Sequence, residues 1–187
     1  MRKNYRKYTD EELMQHIVKG REAAFNELYR RYGDRMYRYF YRMLYQEDAL
    51  ANDFTQELFL KIIERPTAFN PKYKFSTWLF TLASNMCKNE YRRRSRLPDF
   101  QVLREDASIA TSELKLESEQ KKMLLQAAID TLEPHHRTCF VLRYQQELSV
   151  KVISEILDCP EGTVKSRLYY ASKKLAAQLK PIWKGEI

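Results

Sequence analysis

The feature that most constrains the fold is an apolar residue at nearly every third or fourth position from Glu22 to about Leu44. This spacing puts apolar side chains on one side of an α-helix, so the segment predicts a long helix with one buried stripe. Gly33 and Asp34 are the positions at which we expect it to bend. The stripe consists of Phe25, Leu28, Tyr29, Tyr32, Met36, Phe40 and Met43.

Composition extends this prediction to the whole chain. Only four Gly and six Pro occur among 187 residues, which favours helices over a turn-rich β-sandwich. A chain of this length suits one or two compact domains. The predicted fold class is therefore all-α, with two small helical domains joined by a linker.

Further helices are predicted on either side of the long one. Thr9 and Glu12 form a capping box in front of the apolar residues of a short first helix. A third helix is predicted from about Asp48 to Glu64. A fourth is predicted to begin at Ser76 or Thr77, either of which can act as its N-cap, and to continue into a cluster of arginines.

An acidic segment divides the chain. Residues 97–119 carry six acidic and two basic side chains with no sustained apolar period, so we interpret them as a linker. Residues 1–96 then form the first domain, and residues 120–187 form a second, smaller one. Apolar periodicity predicts four helices in the second domain, at about 123–132, 137–144, 150–157 and 164–179.

The last two of these helices have the pattern of a helix-turn-helix. Ser149 is the expected N-cap of the first, Asp158 and Pro160 suit a tight turn, and Thr163 is the expected N-cap of the second. The second helix has an outer side of basic and hydrogen-bonding residues, which suits the DNA major groove. An ordinary helical hairpin with solvated Lys and Arg is an equal alternative from this pattern alone. The apolar side is Val164, Leu168, Ala171 and Leu175, and the outer side is Ser166, Tyr169, Tyr170 and Lys173, flanked by Lys165, Arg167 and Lys174.

A second candidate nucleic-acid surface lies on the fourth helix and the loop before it. Phe69, Tyr73 and Phe75 precede the helix and are able to receive a stacked or extruded base, which together with basic residues favours single-stranded or melted DNA. The alternative is that Phe69 and Phe75 pack under the loop and the arginines are a solvated helix end. The polar side is formed by Thr81, Asn85, Lys88 and Arg92, and the arginine cluster by Arg92, Arg93, Arg94 and Arg96.

The third helix carries an acidic stripe in a basic protein. Nucleic acid would repel such a stripe, so it is either a solvated face or the docking site of a basic protein partner. On this pattern alone, the solvated face is favoured. The stripe consists of Asp53, Gln56, Glu57 and Leu60, opposite an expected core face of Leu50, Phe54 and Leu58.

Charge and composition limit the class of protein. The net charge of +8 favours a polyanionic partner. Cys87, Cys139 and Cys159 are far apart and indicate neither a disulfide framework nor a zinc site, and we assign Cys139 to the core. The histidines lack a carboxylate or nucleophile at convincing spacing, so we predict no catalytic residue, metal or cofactor. Since no stretch approaches the ~20 apolar residues that span a bilayer, we expect a soluble cytoplasmic protein.

Together these segments resemble the sigma-70 superfamily of bacterial RNA polymerase initiation factors, specifically its small two-domain extracytoplasmic-function (ECF) group. Region 2 of that family is similar to DALANDFTQELFLKI and FNPKYKFSTWLFTLASNMCKNEYRRR, and region 4 to LEPHHRTCFVLRYQQELSVKVISEILDCPEGTVKSRL. The joint order of D-x-x-Q-E, F-S-T-W-L, the acidic linker and G-T-V-K-S-R-L is far more specific than any single motif. The resemblance covers nearly the whole chain.

The resemblance implies a non-enzymatic factor that binds core RNA polymerase, recognises the -35 and -10 promoter elements and helps to melt the latter. The implied partners are the β′ clamp helices and β flap of the polymerase, promoter DNA and an anti-sigma factor, with no membrane insertion. The residues implied at the polymerase are Asp53, Gln56, Glu57 and Leu60. Those implied at the -10 element are Phe69, Lys72, Tyr73, Phe75, Asn85, Lys88, Arg92 and Arg93. Those implied at the -35 element are Thr163, Lys165, Ser166, Arg167, Tyr169, Tyr170 and Lys173.

Some positions depart from the family pattern. Tyr170 stands where many relatives carry a basic residue. Leu50 and Asn52 reduce the number of acidic residues in the patch before D-x-x-Q-E. The alternative function is a helix-turn-helix regulator that dimerises through its first domain and binds operator DNA without polymerase. That function leaves the acidic stripe and the loop aromatics unexplained.

Overall fold

The fold is helical wherever the structure describes it. The computed structural model describes residues 4–96 and 118–183, and every regular element in these two ranges is an α-, 3-10 or π-helix, which confirms the predicted fold class. Nearly all of the predicted linker lies outside the described residues. The α-helices are α1 (Asp10–Val18), α2 (Glu22–Met43), α3 (Asp48–Glu64), α4 (Phe75–Arg94), α5 (Ser118–Asp130), α6 (Pro134–Phe140), α7 (Val150–Leu157) and α8 (Glu161–Trp183).

The chain divides into two compact units. The division falls inside α4, between Cys87 and Lys88, and the short segment Glu155–Leu157 groups with the first unit. The domain boundary predicted at residue 96 adjoins positions outside the described ranges, and the one predicted at residue 120 lies within α5, so both stay predictions.

Local signals at the start of the first unit match the sequence. The capping box of α1 is present, because Thr9 Oγ1 accepts the Glu12 amide at 3.2 Å and Glu12 Oε2 accepts the Thr9 amide at 2.7 Å. Helix α2 continues through Gly33, so the bend expected there does not interrupt it. A Cβ at Gly33 would lie 3.3 Å from the Tyr29 ring, so this glycine makes room for that ring on the helix surface.

The buried faces of α2 and α3 differ in part from prediction. On α2 the predicted stripe is buried except for Phe25, which is partly buried, and Tyr29, which is 46% exposed. On α3 the pattern favoured the large side chains of Leu50 and Phe54, which are only partly buried. The buried face of α3 therefore differs from the predicted one, because the small side chains of Ala51 and Thr55 are buried along with large ones. The buried residues of α3 are Ala51, Thr55, Leu58, Phe59 and Ile62.

A buried carboxylate joins α2 to the N-terminal residues. Glu27 is 7% exposed and accepts hydrogen bonds from Arg30 Nε at 2.9 Å, Arg30 Nη2 at 2.8 Å and Arg31 Nε at 2.8 Å. Arg31 also donates to Asp10 Oδ1 at 2.7 Å and to the Arg6 carbonyl at 3.1 Å. The hydrogen bonds from Arg30 lower the pKa of Glu27 to about 2, with Arg31 acting in the same direction. We call Glu27, Arg30 and Arg31 the α2 cluster.

The second unit has its own core, to which α5 and α8 both contribute. The predicted helix at 150–157 is confirmed, and the one at 164–179 lies inside the longer α8. The segment predicted as one helix at 137–144 is α6 followed by a π-helical turn, Val141–Gln145. Cys139 is buried as predicted, and burial raises its pKa to about 11. The core cluster consists of Ala128, Ile129, Leu132, Ala171, Leu175 and Leu179.

Arg137 is a buried charge that the sequence did not indicate. Its side chain is fully buried, donates to the Asp130 carbonyl and lies 3.7 Å from Asp130 Oδ1. Apolar periodicity predicts which apolar residues are buried, so it gives no sign of a charged residue in the core. The ion pair joins the end of α5 to the first turns of α6.

In residues 4–96 and 118–183, no helix is both long and apolar enough to cross a bilayer. Over the same residues, no group of three or more His, Cys, Asp or Glu side chains is placed to hold a metal ion.

Candidate nucleic-acid and protein interfaces

The loop before α4 contains aromatic residues with two different roles. Phe69 and Phe75 are 6% and 0% exposed, and each packs against Trp78, with ring centroids 5.3 Å and 5.9 Å from the indole. Their predicted stacking on a base is therefore corrected, and the alternative of packing under the loop describes them. Tyr73, in contrast, is 68% exposed, and Lys72 beside it is also exposed. Asn70 shapes this tip because its side chain accepts the Lys72 amide at 3.0 Å.

The polar side of α4 is at the surface. Asn85, Lys88 and Arg92 are all exposed, and their spacing places them on one side of the helix. Thr81, the fourth member of the predicted stripe, is partly buried and donates its hydroxyl to the Thr77 carbonyl at 3.0 Å. The surface available to a ligand thus runs from Asn85 toward the C-terminal end of α4.

A buried glutamate orders the arginines at that end. Glu90 is 6% exposed and accepts hydrogen bonds from Arg93 Nε at 2.8 Å, Arg93 Nη2 at 2.7 Å and Arg94 Nε at 2.7 Å. The bonds from Arg93 contribute most to lowering the pKa of Glu90, against the effect of burial. The Arg93 side chain still has 65% of its surface exposed. We call Glu90, Arg93 and Arg94 the α4 cluster.

The start of α4 is held by a residue from α1. The helix begins at Phe75, so the predicted N-caps, Ser76 and Thr77, lie within its first turn and that prediction is wrong. The Phe75 amide donates instead to Glu11 Oε1 at 2.9 Å. Nothing in the local sequence pattern indicates an acceptor 64 residues away.

The predicted acidic stripe of α3 is a continuous exposed surface. Asp53, Gln56 and Glu57 are exposed, and Glu57 pairs with Lys61 at 2.9 Å. Leu60 is 55% exposed, and Ile63, which was not part of the predicted stripe, is 47% exposed one turn further on. We call Asp53, Gln56, Glu57, Leu60 and Ile63 the α3 surface.

A polar cleft of 370 Å³ between α2 and α3 adjoins this surface through Gln56. On its wall Tyr37 donates to Asp48 Oδ1 at 2.5 Å, and Asn52 Nδ2 donates to Asp48 Oδ2 at 3.2 Å. Asn52, one of the departures from the family pattern, therefore binds a neighbouring carboxylate. The remaining lining residues are Tyr29, Gly33, Asp34 and Thr55.

The helix-turn-helix forms largely as the sequence predicts. Ser149 Oγ accepts the Val152 amide at 3.2 Å at the start of α7, and Asp158 ends this helix in the left-handed region with φ 48°. Thr163 is not an N-cap, because α8 begins at Glu161 and the Thr163 amide already donates to the Pro160 carbonyl at 2.9 Å. The predicted buried side of α8, Val164, Leu168, Ala171 and Leu175, is confirmed.

The outer side of α8 presents most of its predicted residues. Tyr169 and Tyr170 are 62% and 56% exposed. Lys165, Ser166 and Lys173 are exposed as well. Arg167 is only partly buried, and it donates to Cys159 Sγ at 3.8 Å, so its guanidinium lies against the turn.

Two histidines of α6 lie close to this outer side. The His136 ring is 6.0 Å from Tyr170 and 4.1 Å from His135, between ring centroids. Burial lowers the pKa of both histidines. Both histidines are in the first turn of α6.

Comparisons with known proteins find matches to both halves of the chain. Residues 28–97 match the family model described as Sigma-70 region 2, and residues 122–175 match Sigma-70, region 4. The ECF RNA polymerase sigma-E factor of Haemophilus influenzae is 30% identical over 93% of this chain and 97% of its own length. The ECF RNA polymerase sigma factor SigW of Bacillus subtilis is 32% identical over 89% of this chain and 94% of its own.

Solved structures agree on the fold. CnrH, solved in complex with the cytosolic domain of CnrY, gives a TM-score of 0.70 at 20% identity, over 92% of this chain and 97% of CnrH. The sigma factor RpoE of Bartonella quintana, solved with the anti-sigma factor NepR, gives 0.64 at 22% identity, over 83% and 96% of the two chains.

The chain belongs to the ECF RNA polymerase sigma factors of the sigma-70 superfamily. It is a transcription initiation factor that acts with RNA polymerase at promoters. The polymerase-independent regulator is not favoured by these relatives.

Proposed function

We propose that the α3 surface docks on core RNA polymerase. Support comes from Leu60 and Ile63, two large apolar side chains exposed on the same side of one helix next to the Glu57 carboxylate. Exposed apolar residues rimmed by charge are typical of protein interfaces, whereas carboxylates are repelled by nucleic acid. This single observation carries the assignment, because a face that only meets water does not need two exposed aliphatic residues one turn apart.

Promoter DNA is assigned to the remaining two surfaces. The exposed side of α4, with Asn85, Lys88 and Arg92, and the loop tip with Lys72 and Tyr73 would bind the melted -10 element. Basic side chains position the backbone, and an exposed aromatic ring traps an unstacked base. In this proposal Phe69 and Phe75 support the loop from below instead of contacting DNA.

The outer side of α8 would bind the -35 duplex. Its exposed lysines contact phosphates, and Ser166, Tyr169 and Tyr170 face the base edges of the major groove. Residues 1–96 and 120–187 act as the two DNA-binding domains, and each is weak alone. The protein acts without catalysing a reaction.

Run-off transcription with reconstituted holoenzyme tests this assignment. Wild-type protein should give core-dependent, promoter-specific transcripts from genomic fragments, whereas the isolated protein should bind DNA weakly and in a salt-sensitive way. Leu60→Asp should abolish core binding. Val18→Asp is the matched control, since Val18 is 48% exposed in α1, away from the α3 surface.

Two results would contradict the assignment. One is the absence of any core-dependent transcript with wild-type protein. The other is Leu60→Asp protein that binds core polymerase as tightly as Val18→Asp protein, which would remove the α3 surface from the interface.

An anti-sigma factor is proposed as the regulatory partner. The RpoE relative of matching fold was solved bound to one. Affinity purification from the native cells should recover a protein that suppresses run-off transcription when added back. A recovered partner that leaves transcription unchanged would contradict this part of the proposal.

A further inference from the structure

The start of α4 needs an acceptor that its own segment does not supply. The first amides of an α-helix have no partner within the helix, and a side chain just before the helix usually accepts one of them. The residue in that place is Lys74, which carries only donors, and its carbonyl accepts the Trp78 amide at 3.3 Å. Ser76 and Thr77 follow the first residue and come too late to act as the N-cap.

Glu11 fills this role from another helix. Its Oε1 accepts the Phe75 amide at 2.9 Å, and Phe75 is fully buried. A carboxylate at this point also complements the positive end of the helix dipole. The hydrogen bond therefore fixes where α4 begins and where the loop that carries Lys72 and Tyr73 ends.

Helix α1 holds the other side of this loop as well. It packs against the 3-10 turn Pro66–Ala68, from which the loop departs. Asp10, next to Glu11, accepts the Tyr32 hydroxyl at 2.5 Å, and the Tyr32 ring meets the Phe75 ring edge-on with centroids 5.3 Å apart. The first turn of α1 thus reaches Phe75 both directly and through Tyr32, while the helix also supports the opposite end of the loop.

We propose that Glu11 is a positioning residue for promoter melting. Its carboxylate holds the start of α4, and this sets the loop conformation that presents Tyr73 and Lys72 to the opened strand. The inference rests on the proposed assignment of this loop to the -10 element. Glu11 itself does not touch DNA.

Three variants in the same turn of α1 test the inference. Glu11→Ala removes the acceptor, and Glu11→Gln keeps Oε1 as a neutral acceptor. Glu12→Ala is the matched control, because the Glu12 carboxylate accepts the Thr9 amide at the start of α1, whereas the Phe75 amide donates to Glu11. Each variant is examined as full-length protein by hydrogen exchange at the Phe75 amide, and as holoenzyme by core affinity and by permanganate reactivity of unpaired thymines on a fragment that gives a run-off product.

The expected pattern separates positioning from general stability. Glu11→Ala should speed exchange of the Phe75 amide by about fivefold, the loss typical of one helix cap, and should lower the open-promoter fraction several-fold with core affinity unchanged. Glu11→Gln should bring the exchange rate and the open-promoter fraction most of the way back to their wild-type values. Glu12→Ala should leave both quantities near wild type.

The possible failures are distinguishable. Wild-type exchange at Phe75 in Glu11→Ala protein overturns the inference, since the cap would then not hold α4. Faster exchange combined with wild-type promoter opening also overturns it, while leaving the sigma-factor assignment intact. Absence of any run-off product from the wild-type holoenzyme overturns the proposed function itself, whatever the exchange data show.

Discussion

The α2 cluster and the α4 cluster are built from the same spacing, Glu-x-x-Arg-Arg, and have nearly the same geometry. In both, a buried glutamate binds the arginine three positions later through two nitrogens and the arginine four positions later through Nε. The surroundings differ. In α2 the inner arginine continues to a second carboxylate, Asp10, so two arginines meet two acids. Near the end of α4, one glutamate lies among four arginines, of which Arg92, Arg93 and Arg96 are exposed.

This difference teaches that the motif alone does not define a nucleic-acid surface. The α2 cluster joins α2 to α1 through Asp10, whereas Arg92 and Arg96 beside the α4 cluster add exposed positive charge at the end of a polar helix side. An excess of cations over carboxylates is what a phosphate backbone recognises. The predictions that follow separate residues that hold the fold from residues that contact a ligand.

The largest contrast is expected inside the loop, between Phe69 and Tyr73. Phe69→Ala should lower the free energy of unfolding by about 3 kcal/mol, because it removes a buried ring from contact with Phe75 and Trp78. Tyr73→Ala should leave stability within about 0.5 kcal/mol of wild type. The same change should weaken promoter opening by about tenfold through loss of base stacking. Urea unfolding and permanganate footprinting measure the two effects, and equal stability losses would contradict the contrast.

The next effect concerns the α2 cluster. Glu27→Gln should lower the free energy of unfolding by about 2 kcal/mol, since two arginines lose the buried carboxylate that they share. Glu22→Gln, at an exposed position in the same helix, serves as the control and should change stability by less than about 0.5 kcal/mol. Urea denaturation at neutral pH gives both values. Similar values for the two variants would mean that the α2 cluster does not hold the fold.

Acidification should erase the difference between wild type and Glu27→Gln. The folded-state pKa of Glu27 is about 2, below its ordinary value of 4.5, because Arg30 and Arg31 stabilise the charged form. Its contribution to stability is therefore complete above about pH 4.5 and is lost as the pH falls from there toward 2. Unfolding experiments between pH 7 and pH 3 should show the gap narrowing in that window. A gap that stays constant to pH 3 would contradict the predicted linkage.

The smallest effect compares the outer arginines of the two clusters directly. Arg30 and Arg93 have 59% and 65% of their side-chain surface exposed, and each binds its glutamate through two nitrogens. Arg93→Ala should weaken promoter complexes by about fivefold and reduce the slope of log affinity against log salt by about one. Arg30→Ala should leave that slope unchanged. Equal slopes for the two variants would show that the α4 cluster, like the α2 cluster, only holds the fold.

Sequence patterns predicted the elements whose causes are local. The capping box of Thr9 and Glu12, the extent of α3 and the left-handed Asp158 all depend on residues within one or two turns. The features that were missed depend on contacts between different helices. The cap on the Phe75 amide comes from α1. The buried charge of Arg137 is paired with Asp130 only because α5 and α6 meet there.

The candidate site was predicted with a similar limit. Spacing placed Asn85, Lys88 and Arg92 on one exposed side of α4, because helical geometry decides this. Spacing could not show that Phe69 and Phe75 are buried and Tyr73 is exposed, since an aromatic residue in or beside a loop can pack in a core or bind a ligand. Burial resolved that alternative.

The left-handed Asp158 has a consequence for how promoter preference changes over evolutionary time. This residue ends α7, and the buried side of α8 packs that helix into its unit, whereas the outward-facing side chains contribute little to the packing. Under the proposed assignment of this side to the -35 element, exchange of Ser166, Tyr169 or Lys173 would change the target sequence without refolding the domain. A β-branched residue at position 158 would be strained at φ 48°, and under the same assignment it would disturb the presentation of α8 to every target at once.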